Sequence, residues 1–70
     1  MTKKQMVEAI QVAEAKAWRS FREAHNLWGM DDAITSRRRA QWSGLYEMRE
    51  ALGLPGLTVH ELIERDLLVA

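Results

Sequence analysis

Cysteine is absent from this 70-residue chain, proline occurs once, glycine four times, and the formal net charge is zero. Each absence excludes something. Without cysteine there are no disulfides, iron–sulfur clusters, thiolate zinc sites or cysteine nucleophiles. A small chain with no disulfide framework reads as intracellular, and a cytoplasmic location is expected. Ten basic residues against ten acidic ones leave no basic surplus, so a dedicated DNA-binding module is not expected. No apolar run reaches the roughly 18 residues that span a bilayer, and the start Met1-Thr2-Lys3-Lys4-Gln5 does not lead into a signal-peptide core. A single domain over residues 1–70 is expected. Below about 70–80 residues one core rarely supplies more than about 3–5 kcal/mol, so regular helix packing, oligomerisation, or both must add to it.

The few glycines and the proline punctuate what is there. Residues 2–28 contain no breaker, and Val7, Ile10, Ala17, Phe21, Ala24 and Trp28 recur at helical spacing. Gly29 then stands where a helix C′ glycine belongs, followed by apolar Met30. Asp31 or Asp32 caps a second helix over 32–52, with Ile34, Leu45, Met48 and Leu52 on one stripe. Gly53, Leu54 and Pro55 stop it. Gly44 lies inside this helix near the edge of the stripe, where close approach of another backbone would explain it. A third helix, 59–69, opens with a Thr58/Glu61 capping box and a Leu57/Leu62 staple, and carries Val59, Leu62, Ile63 and Leu67 on its stripe. The expected fold is all-α: a long antiparallel helical hairpin plus a short C-terminal helix. Such a hairpin cannot enclose a core alone, so further copies of the chain are expected to complete a homo-oligomeric helical bundle.

Several polar residues interrupt the apolar sectors. Glu14 and His25 fall among those of the first helix, Arg38 and Arg49 among those of the second. Folding at Gly29–Asp31 brings residues whose numbers add to about 60 to one height. Trp18 then meets Trp42, Glu14 lies within a turn of Arg49, and His25 lies near Arg37 and Arg38. Glu14 with Arg49 reads as a partly buried ion pair that fixes register. The sharper alternative is that Arg49 or Arg38 faces an anionic ligand or a partner's carboxylate, to which a guanidinium fork is suited.

Consecutive arginines 37–39 fan out around a helix and cannot form one flat patch; partial pairing with Asp31 and Asp32 explains them without a ligand. Cations in the first turns nevertheless oppose the helix dipole. Arg39, Trp42, Ser43 and Tyr46 share a face, and Arg38, Trp42 and Arg49 share the next. Arginines interleaved with aromatics suit base stacking and phosphate binding. Large aromatics also anchor small cores and subunit interfaces. The candidate ligand residues are therefore Arg37, Arg38, Arg39, Trp42, Tyr46 and Arg49; the candidate interface residues are Trp18, Phe21, Trp28, Leu45 and Leu62.

For catalysis the sequence offers little. There is no glycine-rich phosphate loop and no metal-spaced histidine pair, and His60-Glu61 lacks the second histidine of a zincin because position 64 is Glu64. No enzyme activity, metal or cofactor is expected. A helix-turn-helix reading fails on Glu61, Glu64 and Asp66, which would repel phosphates.

The segment Ser36-Arg37-Arg38-Arg39-Ala40-Gln41-Trp42, continued by Leu45-Tyr46-Glu47 and Ala51-Leu52-Gly53-Leu54, resembles small helical-hairpin proteins of phages and prophages. That group carries no assigned activity or catalytic residues across. In architecture the chain is also similar to phage anti-defence hairpins that sequester cyclic-nucleotide signals. The resemblance implies an oligomeric binding protein for a nucleotide-like anion. The alternative is an interaction module whose apolar face, with Trp28, Met30 and the third helix, docks on a host protein.

Overall fold

The computed structural model describes residues 1–68 and contains three helices: α1 (Lys3–Trp28), α2 (Ala33–Ala51) and α3 (Val59–Glu64). Among the described residues there is no strand. No helix there is long and apolar enough to cross a membrane.

Local chemistry sets most of the boundaries. Thr2 and Gln5 form a capping box, the Thr2 hydroxyl accepting from Gln5 N at 3.1 Å and Gln5 Oε1 accepting from Thr2 N at 2.9 Å. At the far end, Gly29 donates to His25 O at 2.9 Å and turns to φ 84°, ψ 172°, a conformation open essentially to glycine. Of the two candidate aspartates, Asp32 is the cap: its Oδ1 accepts from Ile34 N at 2.8 Å. α2 closes in a Schellman motif, with Gly53 N donating to Glu50 O (2.9 Å) and Leu54 N to Arg49 O (3.1 Å). The Thr58/Glu61 capping box of α3 forms as its spacing predicts, and Leu57 and Leu62 are both half-buried.

α3 is shorter than its apolar pattern predicts. It stops at Glu64, and Asp66 adopts φ 53°, with Asp66 N bonded to Ile63 O (3.1 Å) and Leu67 N to Leu62 O (2.8 Å). A second Schellman motif thus ends it, and the turn delivers Leu67 to a buried position. Position 69 of the expected helix lies outside the described residues.

α1 and α2 run antiparallel. Contacts climb the seam in order: Glu14 with Arg49, Trp18 with Trp42, and Ser20 O with Arg38. The α2 side of the seam differs from the stripe predicted above. Thr35, Arg38, Trp42 and Arg49 turn inward, whereas Ile34, Met48 and Leu52 are exposed and Leu45 is half-buried. The helix is rotated because Trp42 stacks into the Trp18–Phe21 cluster and Arg49 reaches Glu14. Gly44 has no neighbour within 4 Å of where a Cβ would stand, so no backbone of this chain explains it.

The return segment and α3 lie against one flank of α1. Gln11 donates to Pro55 O (2.7 Å), Arg65 pairs with Glu8 (2.8 Å), and Arg19 donates to Asp66 O. The buried apolar residues among those described are Ala15, Phe21, Ala24 and Leu67. That core is small. The chain exposes 5047 Å² of surface, against about 4,500 Å² for a compact monomer of its mass.

Candidate functional site

Arg49 is the most connected side chain in the molecule. Its Nε donates to Glu14 Oε1 at 3.0 Å and its Nη1 to Leu54 O at 2.7 Å, while its guanidinium lies 5.3 Å from the centre of the Tyr46 ring and against Gly56. The pair with Glu14 lies within one chain, and both residues are buried. Of the readings open for Arg49, the structure therefore places it as an internal clamp joining α1, α2 and the 53–56 turn, turned away from any solvent-borne anion.

Above the part that α3 covers, the same flank of the hairpin carries a row of aromatics. Gln11, Ala15, Trp18 and Arg22 follow one another along that flank of α1 at helical spacing. Trp18 lies 4.8 Å from Trp42, and Trp42 lies 5.4 Å from Tyr46, measured between ring centroids. Phe21 backs the row from within, edge-on to Trp18 at 5.4 Å and nearly parallel to Trp42 at 6.2 Å. Trp18 and Tyr46 remain 38% and 39% exposed, so the row is anchored at its base and open at its edge.

Cations bracket this row. The Arg22 guanidinium lies 5.9 Å from the centre of the Trp18 ring, and its Nη1 is 3.4 Å from His25 Nδ1. Arg39 is exposed on the α2 face that it shares with Trp42 and Tyr46. Among the described residues, no carboxylate pairs with Arg22, Arg37, Arg38 or Arg39; the ion pairs involve Arg19, Arg49, His60 and Arg65 instead. The pairing of arginines 37–39 with Asp31 and Asp32 is thus not formed. An aromatic surface edged by unneutralised guanidinium groups can stack a flat ring and hold an attached anion.

The other expected site residues are dispersed. Arg38 points into the seam, donates to Ser20 O at 3.2 Å and covers Trp28 at 5.8 Å. Arg37 is exposed on the far flank of α2. His25 meets Arg22 and Phe21. Phe21, expected at an interface, is buried within the chain, and Leu45 and Leu62 are half-buried; Trp28 is 48% exposed at the hairpin tip. Arg22 is the residue that the sequence reading missed. Its signal was local: an arginine four residues after Trp18, one helical turn on.

Away from the row, a concavity between the start of α1 and α3 is lined by Lys3, Lys4, Val7, Glu8, Gln11, Glu61 and Arg65. Its charges are mixed, and Arg65 there is already paired with Glu8. No set of histidine and acidic side chains among the described residues is grouped to hold a metal ion.

Compared with known proteins, the chain matches no family model, no curated protein and no solved structure.

Proposed function

We propose that this chain is a non-enzymatic binding protein that works as a homo-oligomer and takes a nucleotide-like anion on the Trp18–Trp42–Tyr46 row. The observation that carries the reading is the aromatic row itself, edged by Arg22 and Arg39, neither paired with a carboxylate among the described residues. The base stacks on the exposed indole edge; the guanidinium groups hold the phosphate. Sequestration of a signal nucleotide by a phage protein is the form suggested by the likeness in architecture to phage anti-defence hairpins.

Calorimetric titration against cyclic and linear nucleotides tests this. Binding by the wild type that falls about tenfold or more in Arg22→Ala and Arg39→Ala, as loss of a charged hydrogen bond does, supports the reading. Absence of heat for every nucleotide at high protein concentration removes it.

One observation favours a second reading. Leu27, Trp28 and Met30 are 69%, 48% and 45% exposed at the hairpin tip, a short apolar anchor of the kind that enters a partner's groove. A partner retained from a lysate by the wild type and lost on Trp28→Ala, with nucleotides silent, would favour it.

A further inference from the structure

The seam divides each long helix into two flanks, and only one of them meets α3. On α1 the seam residues Ile10, Glu14 and Phe21 separate the Gln11–Ala15–Trp18–Arg22 flank from a second row: Met6, Ala9, Ala13, Ala17, Ser20 and Leu27. On α2, Thr35, Trp42 and Arg49 likewise separate Arg39 and Tyr46 from Ile34, Arg37, Gln41, Leu45, Met48 and Leu52. Because the helices are antiparallel, both second rows face the same way, opposite α3. Met6, Leu27, Ile34, Met48 and Leu52 there are 41–69% exposed. They account for five of the large apolar residues that this chain leaves open.

We infer that a second copy of this chain covers this face. The inference names the contact surface of the self-association proposed above and rests on that part of the reading, not on the ligand. Three features single out another copy as the occupant. First, the face is self-complementary in shape. Its α1 row is small in the middle (Ala9, Ala13, Ala17, Ser20), with Lys16 along its outer edge, and the apolar members of its α2 row are large (Ile34, Leu45, Met48, Leu52), with Gln41 between them. A two-fold axis parallel to the hairpin lays α1 of each copy over α2 of the other, large on small, with every neighbouring pair antiparallel.

Second, the rim is complementary in charge. That axis brings Arg37 of one copy level with Glu23 of the other, both exposed; Glu23 also pairs with Arg19 of its own chain at 3.3 Å, so the contact between copies shares that carboxylate. Third, the extent is right. From Met6 to Leu27 the face runs about 32 Å, and two helices are about 20 Å wide, roughly 640 Å² in projection. A standard interface takes about 800 Å² of corrugated surface from each partner. The result is a four-helix bundle that leaves the Trp18–Trp42–Tyr46 rows on its outside, one per copy.

Sedimentation equilibrium on the full chain tests this, across a concentration series and alongside circular dichroism. The expected result is a dimer for the wild type, dimerisation weakened about tenfold or more in favour of monomer for Met48→Lys, and an unaltered dimer for Ile63→Lys on exposed α3. Arg37→Glu should weaken the dimer and Arg37→Glu with Glu23→Arg should restore it; these exposed positions decide the matter if Met48→Lys fails to fold. A wild-type monomer or trimer overturns the inference. So does a Met48→Lys dimer as tight as the wild type, dissociation by Ile63→Lys, or a double charge reversal that does not restore. A dimer that binds no nucleotide leaves this interface standing and removes the ligand; a monomer that binds one does the reverse.

Discussion

At the scale of single residues, Arg49 decides most. A buried charge is tolerated when its partners are in place, and Arg49 has Glu14, the Leu54 carbonyl and the Tyr46 ring. Removing one member of such a pair strands the other, at about 3–5 kcal/mol, whereas replacing both by apolar residues is often close to neutral. Arg49→Met is therefore expected to abolish most of the stability of so small a chain. Glu14→Leu with Arg49→Met should recover to within about 1–2 kcal/mol of the wild type. Urea unfolding of the two variants checks this; a single variant as stable as the wild type would show that the pair holds nothing together. The pair was legible in the sequence because antiparallel register alone places position 14 beside 49. Arg22 was legible only in part: its spacing from Trp18 is local, but which flank α3 leaves open is not.

At the scale of elements, the helix ends follow local chemistry. Gly29 and Gly44 separate two uses of glycine. Gly29 turns to φ 84°, ψ 172°, so Gly29→Ala should cost about 1–3 kcal/mol. Gly44 sits mid-helix with nothing within 4 Å of an added Cβ, so Gly44→Ala should stabilise by about 0.5–1 kcal/mol. Thermal denaturation of the two variants should move the midpoint in opposite directions.

The α3 cap adds a pH dependence. Hydrogen bonds from the Thr58 backbone, then from its side chain, hold the Glu61 carboxyl below its ordinary value, with Arg65 and His60 contributing. A lowered carboxylate stabilises the folded form above its unfolded value, about 4.3, and that contribution is lost as the pH falls through the folded one. Protection of the Thr58 amide, relative to its intrinsic exchange rate, should fall in that acidic window in the wild type and be lost at all pH values in Glu61→Ala. The caps at Gly29, Asp32, Gly53 and Thr58/Glu61 were readable because each involves residues within a few positions of one another; the Thr2/Gln5 box, equally local, went unremarked. The end of α3 was not readable: Asp66 adopts a left-handed conformation that only the docking of Leu67 makes worthwhile. Nor was the rotation of α2, because apolar periodicity selects Ile34, Met48 and Leu52 while the tertiary seam selects Thr35, Trp42 and Arg49.

At the scale of the whole molecule, zero net charge conceals an uneven surface. Arginines 37–39 crowd α2, the described part of α3 and its turn carries Glu61, Glu64 and Asp66, and the unneutralised guanidinium groups gather towards the hairpin tip. The excess surface and the small core, four buried apolar residues among those described, are what the proposed self-association would cover. In this account one flank of the hairpin holds α3 and the ligand row, and the other holds a second copy. The most direct test of the ligand row is an NMR titration of the full chain with a mononucleotide and a cyclic dinucleotide, following the indole N–H signals of its three tryptophans. The account predicts that the Trp18 and Trp42 signals move together with the Arg22 and Arg39 amides, while Lys3, Lys4 and Arg65 stay still. Stationary Trp18 and Trp42 signals at saturating nucleotide, or shifts confined to Lys3, Lys4 and Arg65, would contradict it.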